Sequence, residues 1–335
     1  MGRAVSDGWL LARVLRDPAA TAGFNADMWT TLIGIARAEQ MIGTLGCRLD
    51  GLIVPETAAR LFADARDAAE EGRRAALWEA EMARRALAGL DCPVLLLKGT
   101  AFVAAGMQAG VGRAIGDLDI LVPRARIEEV EAALFEAGWE WVKEDAYDDA
   151  YYRRWMHELP PLIHRDRDRM IDVHHTILPL TARITPDAAA LLADRTPLAE
   201  GGLHTLSRND ILVHAAAHLF ADGDLAGGMR NLWDVHCLVE EFGIAGLAER
   251  ARHHGLSREV ARALRLAGCL YGSVAYGSDA RHVGDALYLR RLTARDGWGR
   301  ATRPFTRFAF YVRSHWLRMP PAMLARHLWI KWRKG

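Results

Sequence analysis

The chain alternates between two kinds of hydrophobic pattern. From about Gly8 to Leu90 apolar residues recur at three and four, as in "ETAARLFADARDAAEEGRRAALWEAEMARRALAGL", which predicts amphipathic helices. Leu61, Ala65 and Ala69 fall on the expected packed stripe, and Gly51 to Pro55 is the expected break between helices. Asp91-Cys92-Pro93 ends this region, because proline cannot continue a helix and restricts the residue before it.

At Val94 the pattern changes. "VLLL" followed by Lys98-Gly99 is a short apolar run with a glycine stop, the mark of a buried strand. Thr100 to Met107 has room for a short helix, and a loop follows through Gly110 and Gly112. "DLDILV" is a second strand ended by Pro123, and "RIEEVEAALFEAGW" is an amphipathic helix with Ile127, Val130, Ala133 and Leu134 on one face. "PLIHRDRDRMIDVHH" predicts a hairpin with a polar turn, and its second strand carries Asp172. The remainder is mainly helical, with Ser207 and Asp210 in a capping-box-like arrangement at the head of "ILVHAAAHLF". The expected organisation is a helical region over 1–92, an α/β core over 93–180 and a helical domain over 181–335.

Composition adds exclusions. The 335 residues are 51% hydrophobic, and 43 basic against 42 acidic side chains leave a net charge of +1. A global electrostatic drive toward nucleic acid or membrane is not indicated. Cys47, Cys92, Cys237 and Cys269 are scattered, with no C-x-x-C pair to suggest a disulfide framework or a cysteine zinc site. No apolar run is long enough for a transmembrane helix, and the first residues lack a signal-peptide core, so a cytoplasmic location is expected.

The candidate chemistry lies in the two strands. Residues two apart on a strand share a face, so Asp117 and Asp119 project together with Leu118 turned inward. Asp172 sits between apolar Ile171 and Val173. Neighbouring carboxylates repel and are costly to bury, so three at one sheet edge would call for hard cations such as Mg²⁺ or Mn²⁺. Gly99-Thr100 would let a backbone approach a phosphate, with the Thr100 hydroxyl as a donor.

"LLLKGTA", an arginine shortly before "GDLDILV", and then "IDVHH" resemble the nucleotidyltransferases of the DNA polymerase β superfamily. More narrowly, they resemble a bacterial nucleotidyltransferase family with Lys-Gly, Arg-x-x-Gly-Asp-hydrophobic-Asp and hydrophobic-Asp-hydrophobic-His motifs. The resemblance implies an α+β fold, with a small mixed-sheet core flanked by helical regions. It also implies transfer of a nucleoside monophosphate from an NTP to an acceptor hydroxyl, with release of pyrophosphate. Asp117, Asp119 and Asp172 would be the catalytic acids and hold two Mg²⁺ (or Mn²⁺) ions. Lys98, Gly99, Thr100 and Arg113 would bind the nucleotide. Thr100 stands where the superfamily has serine or glycine. The acceptor is open between a small molecule, a peptide or protein, and an RNA end.

Other features carry alternatives. His174 shares the strand face of Asp172. His214 and His218 lie four apart on a helix with Asp222 continuing the row, a spacing compatible with a substrate cleft or with a zinc hydrolase. Arg230 and Asp234, also four apart, are an expected ion pair beside that cleft. The basic, aromatic tail "FAFYVRSHWLRMPPAMLARHLWIKWRKG" has membrane-surface or nucleic-acid contact as functional readings, but a final helix packed on the domain is favoured. A non-catalytic nucleotide- or partner-binding protein on the same fold is the alternative function.

Overall fold

The computed structural model describes residues 7–199, 201–221, 223–272, 282, 284–318 and 329. The N-terminal helices are α1 (Gly8–Arg16), α2 (Ala26–Ala38), α3 (Ile42–Arg48) and the long α4 (Glu56–Ala86). The buried apolar residues of α4 are Ala58, Phe62, Ala76, Ala80 and Ala83, with Glu79 buried among them. The expected Ala69 keeps the heptad register of Phe62 and Ala76 and packs on α3, where a Cβ on Gly43 would lie 3.1 Å from its own, and Leu61 is partly buried beside this stripe.

The sheet forms next, from β1 (Val94–Leu96), β2 (Leu118–Leu121), β3 (Trp139–Trp141), β4 (Leu162–His164), β5 (Met170–His174), β6 (Thr196–Pro197) and β7 (Leu203–Thr205). Its order is β3-β4-β5-β2-β1-β7-β6. β1 runs antiparallel to β2, while β2 and β5 are parallel, with Asp119 opposite Asp172. The expected hairpin is present as the antiparallel pair β4–β5. β6 and β7 extend the sheet from a region expected to be mainly helical, β7 lying parallel to β1. These strands of two and three residues are too short to show an alternation. Helices α5 (Lys98–Ala104), α6 (Ile127–Glu136) and α7 (Ala146–Trp155) lie between the strands, with α4 packed on α5, α6 and β2.

After β5 come α8 (Ala188–Ala193), α9 (Arg208–Ala221), α10 (Gly228–Phe242), α11 (Leu247–His253), α12 (Ser257–Tyr271), α13 (Asp285–Leu292) and α14 (Pro304–Arg318). α9, α10 and α12 pack on one another, and α1 packs on α12, which closes the N-terminal helices against the C-terminal ones. One hydrophobic core runs from Leu10 to Phe310 through the sheet and both helical regions. On α14 only part of the aromatic set packs inward: Phe310 is buried against Tyr288, whereas Phe305, Phe308, Tyr311 and Trp316 are exposed. Most of the basic tail beyond it, 319–328 and 330–335, lies outside the described residues. No described helix is long and apolar enough to cross a membrane.

The cap of α9 is also a tertiary anchor. Asp210 N–H donates to Ser207 Oγ at 3.3 Å, and Ser207 Oγ–H donates to Asp210 Oδ2 at 2.7 Å. The same fully buried carboxylate takes Arg250 through Nε and Nη2 at 2.5 and 2.6 Å, and His254 Nε2 lies 3.1 Å away. Burial would raise the Asp210 pKa, but the hydrogen bonds from His254, Arg250 and Ser207 outweigh it and lower it. A lowered carboxyl stabilises the fold fully above its unfolded value of about 3.9 and loses that contribution as pH falls through the lower folded value. Asp210→Asn should therefore be less stable than wild type at pH 7, by about 2–4 kcal/mol. Urea titrations should show the difference shrinking as pH is lowered below about 4.

Candidate functional site

Asp117 precedes β2 and is exposed, Asp119 lies within β2 and is 3% exposed, and Asp172 occupies the facing position of β5. One carboxylate oxygen from each comes within 4.8 Å of the others. The parallel pairing of β2 and β5 makes this meeting, since it puts Asp119 opposite Asp172 and Leu118 opposite Ile171 in the core.

The charges around the three acids differ. Lys98 Nζ lies 2.6 Å from Asp119 Oδ1, and His174 Nε2 lies 3.0 Å from the same oxygen. Burial acts to raise the Asp119 pKa, but the Lys98 ammonium and His174 outweigh it and hold the carboxyl well below the usual range. Asp172 has no such partner. Burial first, then repulsion by Asp119 and Glu158, pushes it up to about 7, and its Oδ1 is buried without a hydrogen bond. Asp117 is raised because its carboxyl is partly withdrawn from water although the residue is exposed, and because Asp119 repels its charge.

Lys98 reaches Asp119 from an unusual backbone position. β1 ends at Leu96 and α5 begins at Lys98, whose φ is +48°. A side chain in the left-handed region costs about 1 kcal/mol or more and persists only where its surroundings enforce it. Gly99 follows, buried under Arg113: a Cβ there would stand 2.8 Å from Arg113 Nε. Thr100 is 1% exposed, and its hydroxyl faces the Asp117 carbonyl at 3.5 Å, a long, weak contact.

Arg113 lies over the Phe102 ring and pairs with Asp234 of α10. Asp234 also receives Arg230 Nε at 3.2 Å, so the expected Arg230–Asp234 pair forms. Arg230 donates further to Thr44 Oγ1 and, at 3.0 Å, to the Ala109 carbonyl. Thr44 in turn donates to the Val111 and Gly112 carbonyls at 3.1 and 3.2 Å. Gly112, at φ +63°, abuts the backbone of Gly43 so closely that a Cβ would lie 2.5 Å from its carbonyl oxygen. This network joins α3, the Arg113 loop and α10.

His214 and His218 of α9 line one small pocket with Lys98, Phe102, Arg113, Asn231 and Asp234. The cleft residues and the Lys-Gly turn are therefore neighbours, with Lys98 common to the pocket and the acids. Burial, followed by His218 and Lys98, lowers the His214 pKa well below the usual value. Among the described residues no third His, Cys, Asp or Glu joins His214 and His218 in a metal-sized group. Asp222, the third member of the suggested zinc row, lies outside the described residues.

Two residues at the site escaped the sequence reading. Glu158 forms a lone antiparallel bridge with His174, and its Oε2 lies 3.4 Å from His174 Nδ1 and 3.5 Å from His157 Nε2. Burial first, with His174 and Lys98 adding to it, pushes His157 down to about 2, so its ring is neutral. The available signal was a His-Glu pair a few residues before the hairpin, masked by Pro160-Pro161 just beyond Leu159.

No curated protein compared with this chain matches it. A family model described as "uncharacterised nucleotidyltransferase" matches residues 25–272, from α2 through the sheet to the end of α12. A match over that much of the chain, with the acidic cluster inside it, places the protein in this nucleotidyltransferase family.

Proposed function

We propose that the protein transfers a nucleoside monophosphate from an NTP to a hydroxyl of an acceptor. A bond forms between the acceptor oxygen and the α-phosphorus, the bond from that phosphorus to the bridging oxygen breaks, and pyrophosphate leaves with the bonding electron pair. The acceptor's proton passes to a base. The observation that carries this reading is the convergence of Asp117, Asp119 and Asp172. Asp172 supports it further, because a buried carboxylate oxygen without a hydrogen bond suits a cation ligand.

Asp117, Asp119 and Asp172 would hold two Mg²⁺ or Mn²⁺ ions. Divalent ions between such carboxylates and a triphosphate neutralise charge on the attacking and leaving oxygens. The protein's own groups set the stage for this. Thr100 packs its hydroxyl against the Asp117 backbone. Lys98 and His174 keep Asp119 ionised, and Lys98, lying against Asp119, is placed to turn to phosphate. Asp172 would help to take the acceptor's proton, as a direct base or through the metal it helps to hold. Arg113 faces the same pocket as Lys98 and is held there by Asp234. His214, His218 and Asn231 line that pocket and would be the groups offered to the acceptor.

The test uses each α-labelled NTP with Mg²⁺ and cell extract. Label should enter an acceptor fraction with wild-type protein and be lost with the Asp117→Ala/Asp119→Ala double variant. Full transfer by the double variant would refute the assignment. Folded wild-type protein that labels nothing would favour the non-catalytic binding reading.

A further inference from the structure

A second cluster beside the three acids has different chemistry. His157, Glu158 and His174 each offer one donor atom, all within 4.8 Å of one another. Glu158 Oε2 is the hub, 3.5 Å from His157 Nε2 and 3.4 Å from His174 Nδ1. Both separations exceed the usual hydrogen-bond range. They match the edge of a tetrahedral shell, because bonds of about 2.0–2.2 Å to nitrogen and oxygen set neighbouring donors about 3.3–3.6 Å apart.

His174 supplies an independent observation. It is 2% exposed, and its Nδ1 is buried without a hydrogen bond while facing Glu158. Its Nε2 lies 3.0 Å from Asp119 Oδ1. Nε2 thus faces one carboxylate, and Nδ1, directed at Glu158, is the nitrogen placed to bind an ion, as in carboxylate–histidine–metal arrangements. The backbone holds this geometry: Leu159 N–H donates to the Val173 carbonyl at 2.9 Å, and His175 N–H to the His157 carbonyl at 2.8 Å.

We propose that His157, Glu158 and His174 form a site for Zn²⁺ or a similar transition-metal ion, distinct in its donors from the all-oxygen set of Asp117, Asp119 and Asp172. Two imidazoles and one carboxylate, with a fourth position left for water, are a zinc-type donor set, whereas hard Mg²⁺ favours oxygen ligands. Through the His174–Asp119 contact, an ion here fixes the ring against which Asp119 is oriented. The site is separate from the His214/His218 pair.

The experiment titrates Co²⁺ into chelator-stripped full-length protein in excess Mg²⁺ and follows the visible absorption of four-coordinate cobalt. One equivalent should bind, and Zn²⁺ should displace it. His157→Ala and Glu158→Gln, each shown by circular dichroism to be folded, should weaken binding at least a hundredfold. Asp117→Asn should keep the band. A wild-type protein without the band, or a band unchanged in His157→Ala and Glu158→Gln, would overturn the inference. A protein that transfers nucleotides yet lacks the cobalt band would overturn this site alone. An intact cobalt site in a protein that transfers nothing would leave it standing.

Discussion

Asp172→Asn is expected to stabilise the metal-stripped protein at pH 8 while cutting nucleotide transfer about a thousandfold. Both effects come from one charge. Burial, with Asp119 and Glu158 nearby, raises the Asp172 carboxyl to about 7, against about 3.9 in the unfolded chain. The fold therefore disfavours the ionised form. That penalty is absent below about pH 4, grows as the unfolded chain ionises, and levels off above the folded value near 7. Asparagine has no charge to disfavour, so its advantage over wild type should follow the same window. An amide in that position brings its own unsatisfied groups, which limits the gain to about 1–3 kcal/mol. Urea unfolding in EDTA at pH 4.5 and pH 8 measures it. A variant less stable than wild type at pH 8 would mean that Asp172 already has a stabilising partner.

Asp234→Ala should be among the most destabilising single substitutions in the chain. The carboxylate is 4% exposed and serves both Arg113 and Arg230, and Arg230 is itself buried. Removing it leaves two guanidinium groups without their counter-charge, at a cost of about 3–5 kcal/mol. That is a large fraction of the about 5–15 kcal/mol that holds a typical domain folded. Arg230→Met should cost less, because Asp234 keeps Arg113 as a partner. The damage should also reach the site, since Arg113 lies over Phe102 and against Gly99. Thermal unfolding of both variants checks the order, and Asp234→Ala within 1 kcal/mol of wild type would contradict it.

The acids were legible in the sequence because a carboxylate between apolar neighbours on a short strand is conspicuous, and three occurred in order. Their meeting was not, because it depends on the parallel register of β2 and β5, which no local pattern specifies. The partner of Lys98 was hidden for a related reason. The apolar run read as a strand up to Gly99, but the strand stops at Leu96 and the positive φ of Lys98 redirects its side chain to Asp119. The Arg230–Asp234 pair was readable from helical spacing, whereas the links to Arg113 and Thr44 join residues 121 and 186 positions apart. His157 and Glu158 became visible only when the backbone beside β5 was in place. The helical flanks were plain from periodicity, but the packing of α1 on α12 was not.

The central claim is that the α-phosphorus of an NTP is attacked at the three acids. The direct measurement supplies one NTP labelled separately at the α- and γ-phosphates to wild-type protein with Mg²⁺ and extract. The account predicts α-label in the acceptor and γ-label in pyrophosphate, both abolished in Asp117→Ala/Asp119→Ala. Label from the γ-position in the acceptor, or transfer that survives the double substitution, would contradict it.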